Sequence, residues 1–424
     1  MLRLSTFAVD CTPPVGFGIG FGTGEVATGV RDPLFLRGLV LDDGACRCLL
    51  ASLDYCGLMH GAHAALRGAL AAATGCEPPR VQVHCIHQHD TPLLDLEIDA
   101  YLGQETFPRV WWQEVTRRCA AAAQAACAEF AEVSAVGHRE TRLTGYASNR
   151  RILGNDGKVA AVRWSRCADP AVRSAPIGVI DPMLRTLAFR GRDGRLLASL
   201  SFYATHPQVS NGRSLYSADA PGEAIRRVAA VRPGWHAFFT GAGGNVTAGR
   251  FTAVDDLEGN LLNFGGRLAE GIEANLAGLQ WESPGELVWR EASFPFPAAP
   301  FDRERLRRDS RDEKRSPYER LLAAVLLSAL EYPANETYTV ALLGLGSCRL
   351  LWLPGEPFVE HQLYAQSLQP DQFVALAANG SDNFLYLPTA AAFAQGGYEP
   401  TSFCWCTPAF EERLQPALRR LLQG

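Results

Sequence analysis

The chain has 424 residues, enough for two or three average domains or one large α/β enzyme, and 47% of them are apolar and 20% charged, as in an ordinary globular protein. A formal net charge of -5 argues against a nucleic-acid partner, which needs clustered basic charge; the arginines between Arg303 and Arg308 alternate with an acid and read as a solvated helix face. No apolar run approaches the ~20 residues of a membrane helix, and the first ten residues lack the apolar stretch of a secretory signal, so a cytoplasmic location is expected.

In chain order, an opening strand from Leu4 to Val9 enters the glycine-rich loop Gly16–Gly22. Its GxGxG spacing is not followed by a helix, which removes a dinucleotide-binding reading; the glycines instead let a loop pass close to a site or a neighbouring strand. Leu34–Leu41 and Cys46–Leu53 flank Asp42-Asp43-Gly44 as a hairpin, and a helix over His60–Ala73 leads to the strand Val81–Ile86. That strand carries three histidines in six residues, His84, His87 and His89, in a chain with only nine. If the strand stays extended, His87 and His89 project from one face and reach one point beyond its end. Imidazole is both a common metal ligand and a proton carrier near neutral pH.

A helix follows over Arg109–Phe130, and the region from Ser134 to Pro182 reads as turn-rich. Then come an apolar strand Leu196–Ala204 ending at Thr205-His206-Pro207, a helix Glu223–Val231, and a strand His236–Thr240 opening into Gly241-Ala242-Gly243-Gly244-Asn245-Val246-Thr247. Helices over Leu257–Leu276 and Tyr318–Leu330, a strand pair over Tyr338–Leu353, a helix to Gln366, a strand Phe373–Ala378 and a closing helix Pro408–Leu422 complete the chain. The expected architecture is α/β, with multi-layered mixed sheets flanked by helices, in one domain over residues 1–424.

Twelve cysteines include no CxxC pair, only the distant CxC pairs Cys46/Cys48 and Cys404/Cys406, and they read as buried thiols. The Asn-x-Ser/Thr triplets at Asn245, Asn335 and Asn379 then read as accidental. His84 and Cys85 read as core-strand residues, and His60, His63, His138, His236 and His361 as surface or packing residues.

Four places share one pattern, an apolar strand end followed at once by metal-binding or nucleophile-activating types: Ile86–His89, Ala204–Pro207, Leu353–Glu356 and Phe384–Tyr386. Ligands bind outside the carboxyl ends of strands in open α/β sheets, and two imidazoles with a carboxylate are a familiar zinc set that leaves room for water. Glu360, one helical turn after Glu356, is an alternative carboxylate.

Seven segments in order, His87–Pro92, Ala147–Arg151, Tyr203–Pro207, Ser217–Gly222, Thr240–Thr247, Leu353–Phe358 and Tyr386–Thr389, resemble signatures of the catalytic domain of the neutral/alkaline, non-lysosomal ceramidases. The resemblance runs from Leu4 to the final helix and lacks the family's C-terminal β-sandwich domain and secretory signal. It implies a Zn2+-dependent amidase of sphingolipid metabolism, acting on an N-acyl amide that is lipid-like or a smaller soluble molecule. It implies His87, His206, Glu356 and Tyr386 as metal ligands, and His89, Arg150 and Thr247 as catalytic residues. By the same motifs Gly18, Asn149, Gly243, Gly244 and Asn245 are substrate-binding positions.

Two departures stand out. Asp90-Thr91-Pro92 replaces Ser-Gly-Pro, setting a carboxylate beside His89 that either raises the histidine's pKa or, as favoured here, caps the turn. Asn245-Val246-Thr247 replaces Asp-Val-Ser, keeping a hydroxyl and losing a carboxylate. Three readings follow: an amidohydrolase, an esterase on the same site, and a divergent relative that binds a metal and a small ligand without cleaving it.

Overall fold

Strands buried on both faces read as continuous apolar runs. In the strand Phe35–Asp42, Leu36 and Val40 enter one core while Leu39 and Leu41 enter another, as the two-residue period of a strand requires. The structure, a computed structural model, describes residues 1–22 and 24–424, apart from the side chain of Asp382.

The strands are β1 (Arg3–Asp10), β2 (Phe35–Asp42), β3 (Arg47–Leu53), β4 (Val81–Cys85), β5 (Ala131–Arg142), β6 (Met183–Gly191), β7 (Leu196–Tyr203), β8 (Trp235–Thr240) and β9 (Gln280–Glu282), which form one nine-stranded sheet. The order is β8-β7-β6-β5-β1-β2-β3-β4, with β9 added to β5. The central strands are antiparallel, and the outer pairs β7/β8 and β3/β4 are parallel. A second, four-stranded sheet has the order β10 (Leu287–Pro295), β11 (Thr337–Leu345), β12 (Cys348–Trp352) and β13 (Phe373–Ala377), with β12 and β13 parallel.

The sheets pack face to face: Leu41, Leu50, Val136, Leu187 and Leu200 of the first meet Leu343, Leu350, Trp352 and Ala375 of the second. Each fully buried leucine of this kind contributes about 1.5–3 kcal/mol. Helices cover the outer faces. His60–Thr74, Arg109–Ala126, Asp219–Val231 and Leu257–Ala277 lie over the large sheet, and Val359–Ser367 and Ala409–Gln423 over the small one. The α/β expectation therefore holds, with sheets in two inner layers.

The parallel edges place the site. The β3/β4 edge meets β8 through Ser52 Oγ–H of β3 donated to Phe238 O (2.6 Å) and Thr240 Oγ1–H donated to Ile86 O, just past β4 (2.6 Å). His84 is the seam: it accepts the Thr240 N–H at Nε2 (2.9 Å) and donates Nδ1–H to Ala378 O. Burial holds that imidazole down at about 3, so it stays neutral in this role. The carboxyl ends of β4, β7, β8, β12 and β13 thus open toward one region.

Two expectations fail. The region from Ser134 to Pro182 is not simply turn-rich, because β5 runs into it as far as Arg142, and β5 is central to the large sheet. The strand's second half, Gly137–Arg142, is polar, and Gly137 is required because a Cβ there would lie 2.7 Å from the Trp281 ring. The strand β4 also ends at Cys85, so His87 is not extended. No helix among the described residues is long and apolar enough to cross a membrane.

Candidate metal centre

His87 has a left-handed backbone, φ +63°, which turns its side chain away from the direction β4 would have given it. Such a φ is uncommon outside glycine. The same conformation recurs at Gly355 (φ +80°) just before Glu356, and at Leu385 (φ +53°) just before Tyr386. Glu356 and Tyr386 are partners in a two-residue parallel ladder with Pro357 and Leu387, which sets their side chains next to one another. His206 follows β7, with its N–H donated to Val246 O (3.0 Å).

Glycines 243 and 244 let the 241–247 loop wedge between these segments. A Cβ on Gly243 would lie 2.9 Å from Thr205 C, and one on Gly244 would lie 2.4 Å from Glu356 O.

Both candidate imidazoles are oriented by main-chain carbonyls. His87 Nδ1 donates to Cys56 O (2.8 Å) and His206 Nδ1 to Gly243 O (2.7 Å). Carbonyls only accept, so each Nε2 presents its lone pair, and each lies 3.2 Å from Glu356 Oε2. The three donor atoms all fall within 4.8 Å of one another, and all three residues are buried. Burial lowers the His206 pKa and keeps that ring neutral. Burial also opposes ionisation of Glu356, but a proton lying between it and the imidazoles beside it holds the carboxyl well below its ordinary range. Two nitrogen lone pairs facing a carboxylate repel unless a proton or a cation lies among them, and the set of two imidazoles and a carboxylate suits a zinc-type ion.

The other predicted residues divide. Tyr386 is buried, its ring centroid 6.4 Å from that of His206, and burial raises its phenol well above 10 while the Arg150 charge opposes this. The His89 ring lies 5.2 Å from His87 and 6.1 Å from His206, and its Nε2 is buried without a hydrogen-bond partner. Burial and the two neighbouring imidazoles push its pKa well down.

Arg150 is buried, with Nε on Glu399 Oε1 (2.7 Å) and Nη2 on Gly244 O (2.7 Å), and its guanidinium lies 5.1 Å from the Tyr386 ring. Glu360 does not join the centre; it accepts from Asn245 Nδ2 (2.8 Å).

Thr247 donates its hydroxyl to Arg163 O (3.0 Å). The amides of Asn149 and Asn245 are engaged at both ends, by Val179 O and Arg151 N in one case and by Glu360 and Val359 N in the other. Gly18 sits in the 16–22 loop, which binds the segment after His89 through Gly20 N–H to Thr91 O (2.9 Å). The cysteines form no disulfide among the described residues. Asn245, Asn335 and Asn379 are all buried, as accidental triplets would be.

Asp90 does not cap its own turn, and its carboxylate makes no hydrogen bond to the His89 ring. Its Oδ1 accepts Gly212 N–H (2.9 Å), tying two loops together. Burial and the Asp219 carboxyl push Asp90 up to about 7. Against an unfolded value of about 3.9, the folded chain holds an extra proton between these values. This carboxyl's contribution to stability is therefore complete below about pH 4 and is lost as the pH rises through about 7. The thermal midpoint of Asp90→Asn is expected to fall less than that of the wild type between pH 5 and pH 8; equal falls would remove Asp90 as the cause.

Sequence reasoning missed Glu399 and Tyr398. Glu399 binds both Arg150 and Arg151 (2.7 and 2.6 Å), and the Tyr398 ring packs 5.7 Å from Tyr386 and 5.2 Å from Trp164. The only available signal was a lone Gly-Gly-Tyr-Glu turn with no strand or helix periodicity around it.

No family model matches the chain, and no curated protein does. Solved structures match its fold. The neutral ceramidase of Pseudomonas aeruginosa superposes with a TM-score of 0.76 at 18% identity, covering 100% of this chain and 74% of that one. A ceramidase described as complexed with C2 gives 0.75 at 17% identity, covering 100% and 75%. The seven short motifs and the backbone agree, and the fold of this chain, over its whole length, is that of the neutral ceramidases.

Proposed function

We propose that this chain is a zinc-type amidohydrolase that cleaves an N-acyl amide, ceramide-like or smaller, with water. The observation that supports this is the convergence of two imidazole Nε2 atoms on one Glu356 oxygen, each ring fixed by a carbonyl at its other nitrogen. His87, His206, Glu356 and Tyr386 would hold the ion. When bound, such an ion lowers the pKa of a water to ~7 and polarises the substrate carbonyl.

The chain's own groups supply the rest. His89, kept neutral and with Nε2 unpartnered, can take up a proton and pass it to the departing amine nitrogen. Arg150, fixed by Glu399 and Gly244 O, offers preorganised positive charge to a developing oxyanion. Trp164, Ile177 and Val179 are exposed on loops that contact Asn149 and Arg150, which suits an apolar acyl substituent.

Purified protein is expected to retain an ion that His87→Ala releases, and to liberate amine from a panel of N-acyl amines and esters. His89→Gln should keep the metal and lose roughly 10²–10⁴-fold in kcat. Wild-type activity in that variant would remove His89 from proton transfer, and wild-type protein without metal would overturn the reading. The engaged hydroxyl of Thr247 and amide of Asn245 favour a second reading, a relative that binds without cleaving. Bound metal with the whole panel uncleaved would select it.

A further inference from the structure

A second group of metal-ligating side chains lies at the rim where the two sheets meet. His138 is on β5, Glu282 on β9, and Cys348 begins β12. Val136 pairs with Glu282 and His138 with Gln280, so the histidine and the glutamate are diagonal neighbours on one face of the large sheet. Cys348 approaches them from the small sheet, and the imidazole, carboxylate and thiol donor atoms all lie within 4.8 Å of one another.

The surroundings hold these groups in place. Glu282 Oε1 accepts the Ser347 N–H (2.8 Å) and hydroxyl (2.7 Å), and the same hydroxyl lies 3.3 Å from His138 Nε2. The ring of His138 packs 5.1 Å from that of Phe373 on β13. A cleft of about 500 Å³, lined by His138, Gln280 and Gln372 among others, gives access from solvent. On that cleft, Gln372 Oε1 is buried with no hydrogen-bond partner, an acceptor that lacks a cation or donor.

We infer that His138, Glu282 and Cys348 form a metal site separate from the His87/His206/Glu356 centre, taking zinc or a zinc-like divalent ion and clipping the rims of the two sheets together. One sulfur, one nitrogen and one carboxylate oxygen are ligands that zinc accepts, with water or the Gln372 amide oxygen completing four. Binding expels the thiol proton. Without a cation, burial and the Glu282 carboxylate push that thiol up to about 12, so ion and proton compete and affinity rises with pH. The ion joins β5 and β9 to β12, so its binding is coupled to the packing of sheet on sheet.

The test uses the full chain loaded with cobalt(II), because a thiolate ligand adds an intense sulfur-to-cobalt band in the near ultraviolet. The candidate ligands His87, His206, Glu356 and Tyr386 include no thiolate. Wild type should show the band and bind two ions. His87→Ala should keep the band with one ion fewer, which separates this site from the proposed hydrolytic centre and from Cys56 beside it. Cys348→Ser should lose both the band and one ion, along with the zinc-dependent rise in unfolding midpoint. His138→Gln, a half-buried rim position, should lose them as well even if Cys348→Ser folds poorly. The site is overturned by wild type without the band, by a band that survives Cys348→Ser or His138→Gln, or by one that disappears with His87→Ala.

Discussion

His206→Ala is expected to abolish ion binding at the candidate centre and to take the proposed amide hydrolysis below detection. Its Nε2 is one of two nitrogen donors that meet at Glu356 Oε2, and the residue is buried. The variant also leaves a buried carboxylate facing a single imidazole, His87 at 3.2 Å, so part of the loss is structural. In many metal proteins the orienting partner of a ligand can be mutated for a 10–100-fold effect. That intermediate is not accessible here, because the partners are the carbonyls of Cys56 and Gly243. The expected pattern is therefore steep, with metal per chain and initial rate falling together. Stoichiometric metal with an unchanged rate in His206→Ala would move the centre elsewhere.

The second large effect falls on Glu399, outside the donor set. Its carboxylate is fully buried and binds Arg150 and Arg151, with side-chain exposures of 2% and 5%. Removing one partner of a buried ion pair costs about 3–5 kcal/mol, because the other charge stays behind. Glu399→Gln is thus expected to lower stability by that amount in urea titrations, and to reduce turnover by releasing Arg150 from its position against Tyr386 and Gly244. Burial opposes ionisation of Glu399, but the Arg150 charge holds its carboxyl below the ordinary value. The stabilisation is then present above the unfolded value of about 4.3 and is lost as the pH falls through the folded one. The glutamine variant should lack that acid-dependent component. A variant as stable as wild type at pH 7 would show that the two arginines do not depend on Glu399.

The places where this sequence was legible are strand ends. A hydrophobic run followed by a polar cluster marked the segments holding His87, His206 and Glu356, because both patterns are local, whereas Tyr386 opens a two-residue strand after a 3-10 turn and does not follow a strand end. What escaped was non-local or conformational. The strand β5 is half polar and is held by pairing with β1, β6 and β9, none of which its own residues announce. The extended geometry expected for His87 and His89 fails because of one backbone dihedral at His87, although their rings still come within 5.2 Å. Asp90 reads as a turn cap from its neighbours, but its hydrogen-bond partner Gly212 is 122 residues away. Glu399 pairs with residues almost 250 positions earlier, where no local spacing could point to it.

The left-handed corners at His87, Gly355 and Leu385 bear on how such a protein can drift in sequence. The main chain does the aiming there, so the bend itself is what has to be kept. A bend leaves little trace in an amino-acid string, since histidine, glycine and leucine all supply it in this one molecule. The whole architecture is matched at 18% identity while no family model finds the chain. Likeness of this kind is found by comparing backbone trajectories more than letters.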